Sequence, residues 1–432
     1  MGTQRAQRPC VFPILALILA SAPSSLNLAS GPDEATLIEL VWEHAPELQL
    51  TRSRLANARA DYERSLLLPN PTLDVSANTL PVGETNPPGT PFGSVPNYSV
   101  GLSELVELGK RGPRQDATRF AARSTVYDAR AQLNERYHDL QEAIGEVAAS
   151  ERRIAQLTAL VADAARLSAV QLARAEKGDS AMLDADRARL EEQKLQTALQ
   201  EQQALLLSNL RVCSAVAGVP CEPFQAPALS AAWLSRLRGQ YPDDAIEHRP
   251  DVLSLEAASA SARAAEQLAR AKAIPDPTVR FGYVRDQFVI SGNQPNSLFV
   301  GLSLPLPIFD HGQADASAAA ITAKAAERAK QQLVQIGRDA ARRYGAEAAS
   351  LEARRQRLAD ETLPLARSVV DRLDSAVSRG SADIQDLLLA RRTLGELLLE
   401  ATDVDLTAFR LDVERSRTAG RLTVTPKDLV LE

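Results

Sequence analysis

The spacing of hydrophobic positions changes along the chain, and each spacing predicts a different element. Between Arg114 and Val219, Leu, Ala and Val recur every three or four residues without a proline, which predicts long helices. Residues 73–80 and 98–105 instead alternate between apolar and polar side chains, which is typical of strands with one apolar face. The stretch between them is rich in Pro and Gly, so residues 72–105 are expected to form a strand hairpin.

This series of elements is encoded twice, at a distance of roughly 200 residues, far longer than the repeat of a solenoid. The sequence PNPT at 69–72 returns as PDPT at 275–278, and VGLS at 100–103 returns at 300–303. A second strand hairpin is expected at 278–305. The order of the landmarks therefore predicts a tandem duplication. We expect that neither half can close its structure without the other.

Each half also predicts a long helical hairpin. In the first, an arm at 114–177 would be about 96 Å long at roughly 1.5 Å per residue, and a second arm returns at 181–217. In the second, the arms are expected at 315–379, with a kink at Pro364, and from Ile384 to about Gly420. Another amphipathic helix is expected at 34–67, before the first proline pair.

The N-terminus predicts export. Arg5 and Arg8 precede an apolar run at 11–20, and Ala20-Ser21-Ala22 offers a cleavage site, with a later option near residue 30. We therefore divide the chain into a signal peptide (1–22), a first repeat (31–225, helical hairpin 114–217), a second repeat (226–420, helical hairpin 313–418) and a tail (421–432). The net charge of −6 indicates no basic surface for nucleic acid.

Two glycines are expected at the tips of the helical hairpins. Gly178 and Gly380 interrupt the helical pattern and are followed by Asp179 and Ser381. One interpretation is a glycine that simply ends a helix. The other is a docking tip for a helical hairpin of a partner protein.

Carboxylates lie just beyond each tip. Asp184 and Asp386 are either solvated helix residues or acids that project into a narrow channel mouth, where a symmetric ring of them would favour cations. Arg187, Arg391 and Arg392 lie close by in the sequence and are candidates for ion pairs that hold such a mouth shut.

For the cysteines and histidines, the sequence favours structural roles. In an exported chain, Cys213 and Cys221 are most simply interpreted as a small disulfide loop, although the sequence leaves their bonding open. The four histidines are scattered, with His44 and His248 next to the equivalent prolines Pro46 and Pro250. No spacing typical of a catalytic metal site, a phosphate loop or a nucleophile with its base is present, so neither an enzyme nor a bound cofactor is expected.

Taken together, these features resemble the TolC family of outer membrane efflux proteins. The likeness rests on the two proline pairs, on 248–251 (HRPD), on 300–309 (VGLSLPLPIF) and on Gly178 and Gly380. The resemblance implies a mainly helical homotrimer in which three chains close a 12-stranded β-barrel, continued by a periplasmic α-helical barrel. It further implies a passive exit duct that docks to a periplasmic adaptor protein and an inner-membrane pump of the resistance-nodulation-division type.

The cargo is open at this stage. Glu107-Leu108-Gly109-Lys110-Arg111 resembles the strand-to-helix turn of cobalt–zinc–cadmium efflux members, which favours heavy-metal cations. Multidrug efflux and type I protein secretion use the same fold. A periplasmic coiled-coil protein that never enters the membrane is an alternative of a different class.

Overall fold

The computed structural model describes residues 25–237, 243–287, 294–420, 422 and 424–430. The predicted signal peptide therefore lies outside the described residues, and so does part of the predicted tail. The division of the chain at 225/226 stays a prediction.

The first half begins with a short strand and two helices, followed by a strand pair and two long helices. These elements are β1 (Leu26–Asn27), α1 (Glu34–His44), α2 (Pro46–Leu66), β2 (Thr72–Asn78), β3 (Asn97–Leu105), α3 (Arg111–Glu176) and α4 (Met182–Ala217).

The second half repeats the order after a short connection. Its elements are β4 (Cys221–Glu222), α5 (Pro227–Ser235), α6 (Pro250–Ala271), β5 (Thr278–Asp286), β6 (Asn296–Ser303), α7 (Gln313–Arg357), α8 (Leu363–Ser378) and α9 (Ile384–Ala419). The strands lie where the alternation predicts them. The longest helix, α3, has 66 residues.

One predicted helix is wrong. The pattern at 34–67 forms two helices, because Pro46 is the first residue of α2 and Ala45 before it has an extended backbone with ψ 122°. A residue that precedes proline is driven out of the helical region, since the proline ring clashes with its backbone. His44 thus ends α1 rather than belonging to a continuous helix.

The predicted kink at Pro364 corresponds to a change of helix type. Residues 358–362 form one π-helical turn between α7 and α8, and Pro364 lies in the first turn of α8. Proline lacks the N–H that would continue the α-helical ladder, so the helix changes its hydrogen bonding here.

Four strands form an antiparallel sheet in the order β2-β3-β5-β6. The ladder between β3 and β5 joins the two halves, with Gly101 opposite Gly282. One face carries cross-strand rows of apolar residues, as in the row Leu73, Leu102, Phe281 and Val300. These four side chains are 54–77% exposed, so this face has no cover within the chain.

The other face of the sheet is polar. Ser76 and Ser99 share a hydrogen bond of 2.7 Å, and Arg280 lies 3.6 Å from Asp74 across the intervening strand. The sheet therefore separates an apolar from a polar environment. Strands β2 and β6 are its two edges.

Ion pairs join the two halves again along α3 and α9. Arg152 pairs with Asp405 and Arg153 with Asp403, both at 2.5 Å. Farther along, Arg417 of α9 contacts three carboxylates of α3, namely Glu135, Asp139 and Glu142. The fully buried His138 lies nearby, and burial lowers its pKa to about 4, which keeps it neutral at physiological pH.

Both ends of the described chain pack against the helices around this core. β1 pairs with β4, and the interpretation of the cysteines is confirmed, because Cys213 at the end of α4 is bonded to Cys221 in β4. At the other end Leu429 is fully buried, and its carbonyl oxygen accepts hydrogen bonds from the guanidinium of Arg130.

None of the helices in the described part of the chain combines the length and the apolar character needed to cross a lipid bilayer.

A pair of helix glycines tests the packing of α3 against α9. A Cβ atom at Gly145 would lie 2.5 Å from the ring of the buried Phe409, whereas one at Gly345 in α7 meets nothing within 4 Å. We expect Gly145→Ala to destabilise the protein by about 1–3 kcal/mol, since a buried ring cannot move aside freely. The matched Gly345→Ala change should stabilise it by up to about 1 kcal/mol through helix propensity.

Thermal unfolding of the detergent-solubilised variants measures both effects. Equal stability changes in the two variants would contradict the packing described here.

Candidate functional site

Both predicted tips are helix-ending turns with the same backbone. Gly178 and Gly380 have φ angles of +78° and +72°, a region that glycine enters without steric cost. The N–H of Asp179 donates to the carbonyl of Arg174, and that of Ser381 donates to Ala376, each at 2.9 Å. These bonds satisfy carbonyl groups at the end of the preceding helix.

The side chains at the two tips differ. In the second tip, Asp383 caps α9 by accepting a hydrogen bond of 3.0 Å from the Gln385 N–H, and Ile384 is only 6% exposed. In the first tip, α4 has no side-chain cap, and Met182 and Leu183 are 54% and 57% exposed. Only the first tip therefore presents large apolar side chains to the outside, a difference that the sequence analysis missed.

The carboxylates beyond the tips are in different surroundings. Asp184 is half-buried and lies 3.4 Å from Arg187 on the same helix, as predicted. Asp386 is exposed, and no ion pair reaches it from the described residues. Whether either acid faces a channel stays a prediction.

The predicted pairing of Arg391 and Arg392 with these acids is wrong. Arg391 of α9 contacts Asp374 of α8 at 2.8 Å, and it also donates to the backbone carbonyl of Asp163 in α3. Arg392 instead pairs with Glu396 on its own helix. Arg391 thus bridges both helical hairpins, because one side of α9 is packed between α8 and α3.

Sequence reasoning had a signal for this partner. The turn between α8 and α9 is centred on Ser381, so residue 388 of α9 is the counterpart of Asp374 in α8, and Arg391 lies about one helical turn farther along α9. An arginine side chain spans that distance. The contact with Asp163 depends on how the two hairpins pack, which no local pattern encodes.

A cleft of about 860 Å³ lies between the hairpins beside Arg391. Its lining alternates between leucines and valines of α3, α8 and α9 and charged residues, among them Arg174 and Glu191. The Nε atom of Arg391 is buried there without a hydrogen-bond partner. Beside the cleft, Leu167 of α3 packs against a buried apolar cluster of Val377, Ile384 and Leu387, so apolar as well as polar contacts join the two hairpins here.

No cluster of three or more potential metal ligands occurs in the residues that the structure describes. The tips, the acids beyond them and the Arg391 bridge remain the candidate functional features.

Comparisons with known proteins identify the family that this chain resembles. Residues 241–408 match the family described as outer membrane efflux protein. The chain carries an outer membrane efflux protein domain. This confirms the resemblance inferred from the duplicated motifs, and it places the protein in the outer membrane with a periplasmic extension.

Similar proteins cover nearly the whole chain. The cobalt-zinc-cadmium resistance protein CzcC of Cupriavidus metallidurans is 26% identical over 420 residues, which are 95% of this chain and 92% of CzcC. The solved structure of CusC superposes with a TM-score of 0.73 at 16% identity, over 89% of this chain and 91% of CusC. VceC of Vibrio cholerae gives a TM-score of 0.71 at 17% identity, over 89% of this chain and 95% of VceC.

The contacts of Arg391 with both hairpins can be tested by substitution. Arg391→Ala removes the contacts with Asp374 and Asp163, so we expect the hairpins to separate more easily and ionic conductance in planar bilayers to increase. Arg392→Ala is the matched control, since the ion pair that Arg392 forms with Glu396 lies within α9. An unchanged conductance of the Arg391 variant would show that this bridge does not restrain the mouth.

The tip glycines generate a second prediction. A β-branched residue at φ near +75° costs about 1–2 kcal/mol of backbone strain, so Gly178→Val and Gly380→Val should distort the turns. We expect cells that carry these valine variants to lose part of their resistance to the exported compounds, while formation of the expected trimer is unchanged. Asparagine tolerates this backbone region, and Gly178→Asn and Gly380→Asn should remain active. Full resistance of both valine variants would argue against a docking role.

Proposed function

We propose that the protein is the outer membrane channel of a tripartite efflux pump, and that three copies of it form the duct. The observation that carries this proposal is the sheet with an uncovered apolar face and two open edges. Such a face is stable in lipid and unfavourable in water.

The edges favour a trimer. In a bilayer, every backbone N–H and C=O must find a partner, so β2 and β6 require further strands. Four strands are too few to close a barrel around their own side chains, whereas three chains provide twelve. In this arrangement β6 of one chain would pair with β2 of the next.

The polar face then lines the water-filled interior. The serine pair Ser76–Ser99 and the ion pair Asp74–Arg280 fit this environment, since neither would be stable in contact with lipid chains. The long helices continue the duct into the periplasm. No step of this transport requires a catalytic residue or a cofactor of the chain.

We further propose roles for the end of the long helices where the two tips lie. Gly178, Asp179, Gly380 and Ser381 would form tips that dock a periplasmic adaptor, which connects the channel to an inner-membrane pump of the resistance-nodulation-division type. Asp184 and Asp386 would form an acidic mouth. Repetition by symmetry multiplies such charges, and a ring of carboxylates favours cations.

For the cargo we propose heavy-metal cations. The similarity to CzcC over 95% of the chain supports this choice, as does the turn at 107–111. A passive duct needs no metal-ligand cluster of its own. The fold equally serves efflux of organic toxicants or secretion of proteins, so cargo must be measured.

Deleting the gene for the protein in its native host tests both the proposed channel and the proposed cargo. We expect tolerance to Co²⁺, Zn²⁺ and Cd²⁺ to fall and to return on complementation, with tolerance to organic toxicants unchanged. The reverse pattern would assign the channel to multidrug efflux. In parallel, the purified protein should require detergent and migrate as a heat-labile trimer. A monomer in the soluble periplasmic fraction would contradict a membrane channel of any cargo.

A further inference from the structure

The apolar stripe of β6 does not stop where the strand ends. Leu298, Val300 and Leu302 occupy alternate positions of the strand, and the same alternation continues in the chain after Ser303 with Leu304, Leu306 and Ile308. These six side chains are 46–77% exposed, and Phe309, next in sequence, is 91% exposed. The residues between them are polar, glycine, proline or the half-buried Phe299.

The strand alone is short for a membrane. A tilted transmembrane strand needs roughly 9–11 residues, whereas β6 has 8. The stripe from Leu298 to Leu306 extends over about 26 Å at roughly 3.3 Å per residue, before the chain turns at Pro307. At a tilt of about 40°, this corresponds to about 20 Å, most of the roughly 25 Å height of the apolar band of outer membrane proteins.

The backbone of the continuation is adapted to a medium that offers few hydrogen-bond partners. Pro305 and Pro307 have no N–H group, and the N–H of Ile308 donates to the carbonyl of Leu306 at 2.9 Å. Each unsatisfied N–H in a hydrocarbon layer costs several kcal/mol. Alternating prolines therefore lower the cost of leaving the sheet while still in contact with lipid.

Neighbouring segments share this pattern. Val106 and Leu108 continue the apolar face of β3 and are exposed, and the N–H of Val106 donates to the carbonyl of Pro277 at 2.9 Å. On the polar side, Asp276 pairs with Lys110 at 2.7 Å. The separation of apolar from polar faces thus persists below the last residues of the strands.

One charged residue sets the level of the band. Glu104 interrupts the apolar stripe of β3, in a row with Val279 and Leu302. At the opposite end, apolar Tyr98 stands in one row with Arg285 and Asn296. The apolar band is therefore displaced along the strands from β3 to β6, as expected for strands tilted against a flat membrane. The displacement brings Leu304 of the β6 segment to the level of Glu104, whose charge marks the edge of the apolar band.

We propose that residues 304–309 are a lipid-binding collar of the periplasmic leaflet, in which Leu304 and Leu306 lie where the acyl chains meet the headgroups and Ile308 and Phe309 lie among the headgroups. This inference rests on the proposed membrane channel. Its partner is phospholipid rather than a second copy of the chain, because the collar continues the stripe of the face that is directed to lipid.

Nitroxide scanning tests the collar. With Cys10→Ser, an introduced cysteine is the only thiol outside the disulfide. Labels are placed at Leu306→Cys, at Val300→Cys within the strand and at Ser303→Cys on the opposite face. The trimer is reconstituted in vesicles of phosphatidylethanolamine and phosphatidylglycerol. Collision rates are then measured with oxygen, which enters lipid, and with a nickel chelate, which stays in water.

We expect the ratio of oxygen to nickel collisions at position 306 to exceed that at position 303 several-fold and to remain below that at position 300. A nickel-dominated signal at 306 would place the collar in water. Low collision rates with both reagents would show that a neighbouring protomer covers it. Either outcome, together with an oxygen-dominated signal at position 300, overturns the collar alone. A nickel-dominated signal at position 300 would overturn the membrane channel itself.

Discussion

The ladder between β3 and β5 is the contact on which the rest of the structure depends. It is where the two copies of the repeat meet within the four-stranded sheet, and its register places both apolar faces on the same side. Shifting an antiparallel register by one residue would exchange the faces of one hairpin. Leu102 would then share its side with Arg280 or Gly282 instead of Phe281, and no continuous apolar face would exist.

In the long helices, the two halves are joined by a different kind of contact. Below the sheet the two halves are joined by charge, through Arg152, Arg153 and Arg417 against acids on the facing helix. Near the tips these paired contacts become sparse, and Arg391 alone bridges α9, α8 and α3 among the residues singled out there. Beside this bridge, a small apolar cluster of Val377, Ile384 and Leu387 packs against Leu167 of α3, so the hairpins are joined here by both kinds of contact.

The two repeats have diverged where their surroundings differ. Gly145 and Gly345 occupy similar places in the sequence, yet one packs on Phe409 and the other meets open space. At the tips, Ile384 is buried while its counterpart Met182 is exposed. Equivalent positions of a tandem repeat thus acquire separate roles once they are placed in one asymmetric chain.

The sequence by itself determined the elements and their order, because period, proline and glycine act locally. The strands, the tip glycines and the family resemblance all follow from such patterns, and even the break at Pro46 was encoded locally, although the helical pattern at 34–67 obscured it. Tertiary structure alone decided the partners: Arg391 forms an ion pair with Asp374 and donates to the backbone carbonyl of Asp163, rather than pairing with Asp386. Ion pairs depend on which side chains come within a few ångströms, and distance in space across packed helices is not a property of spacing along the chain.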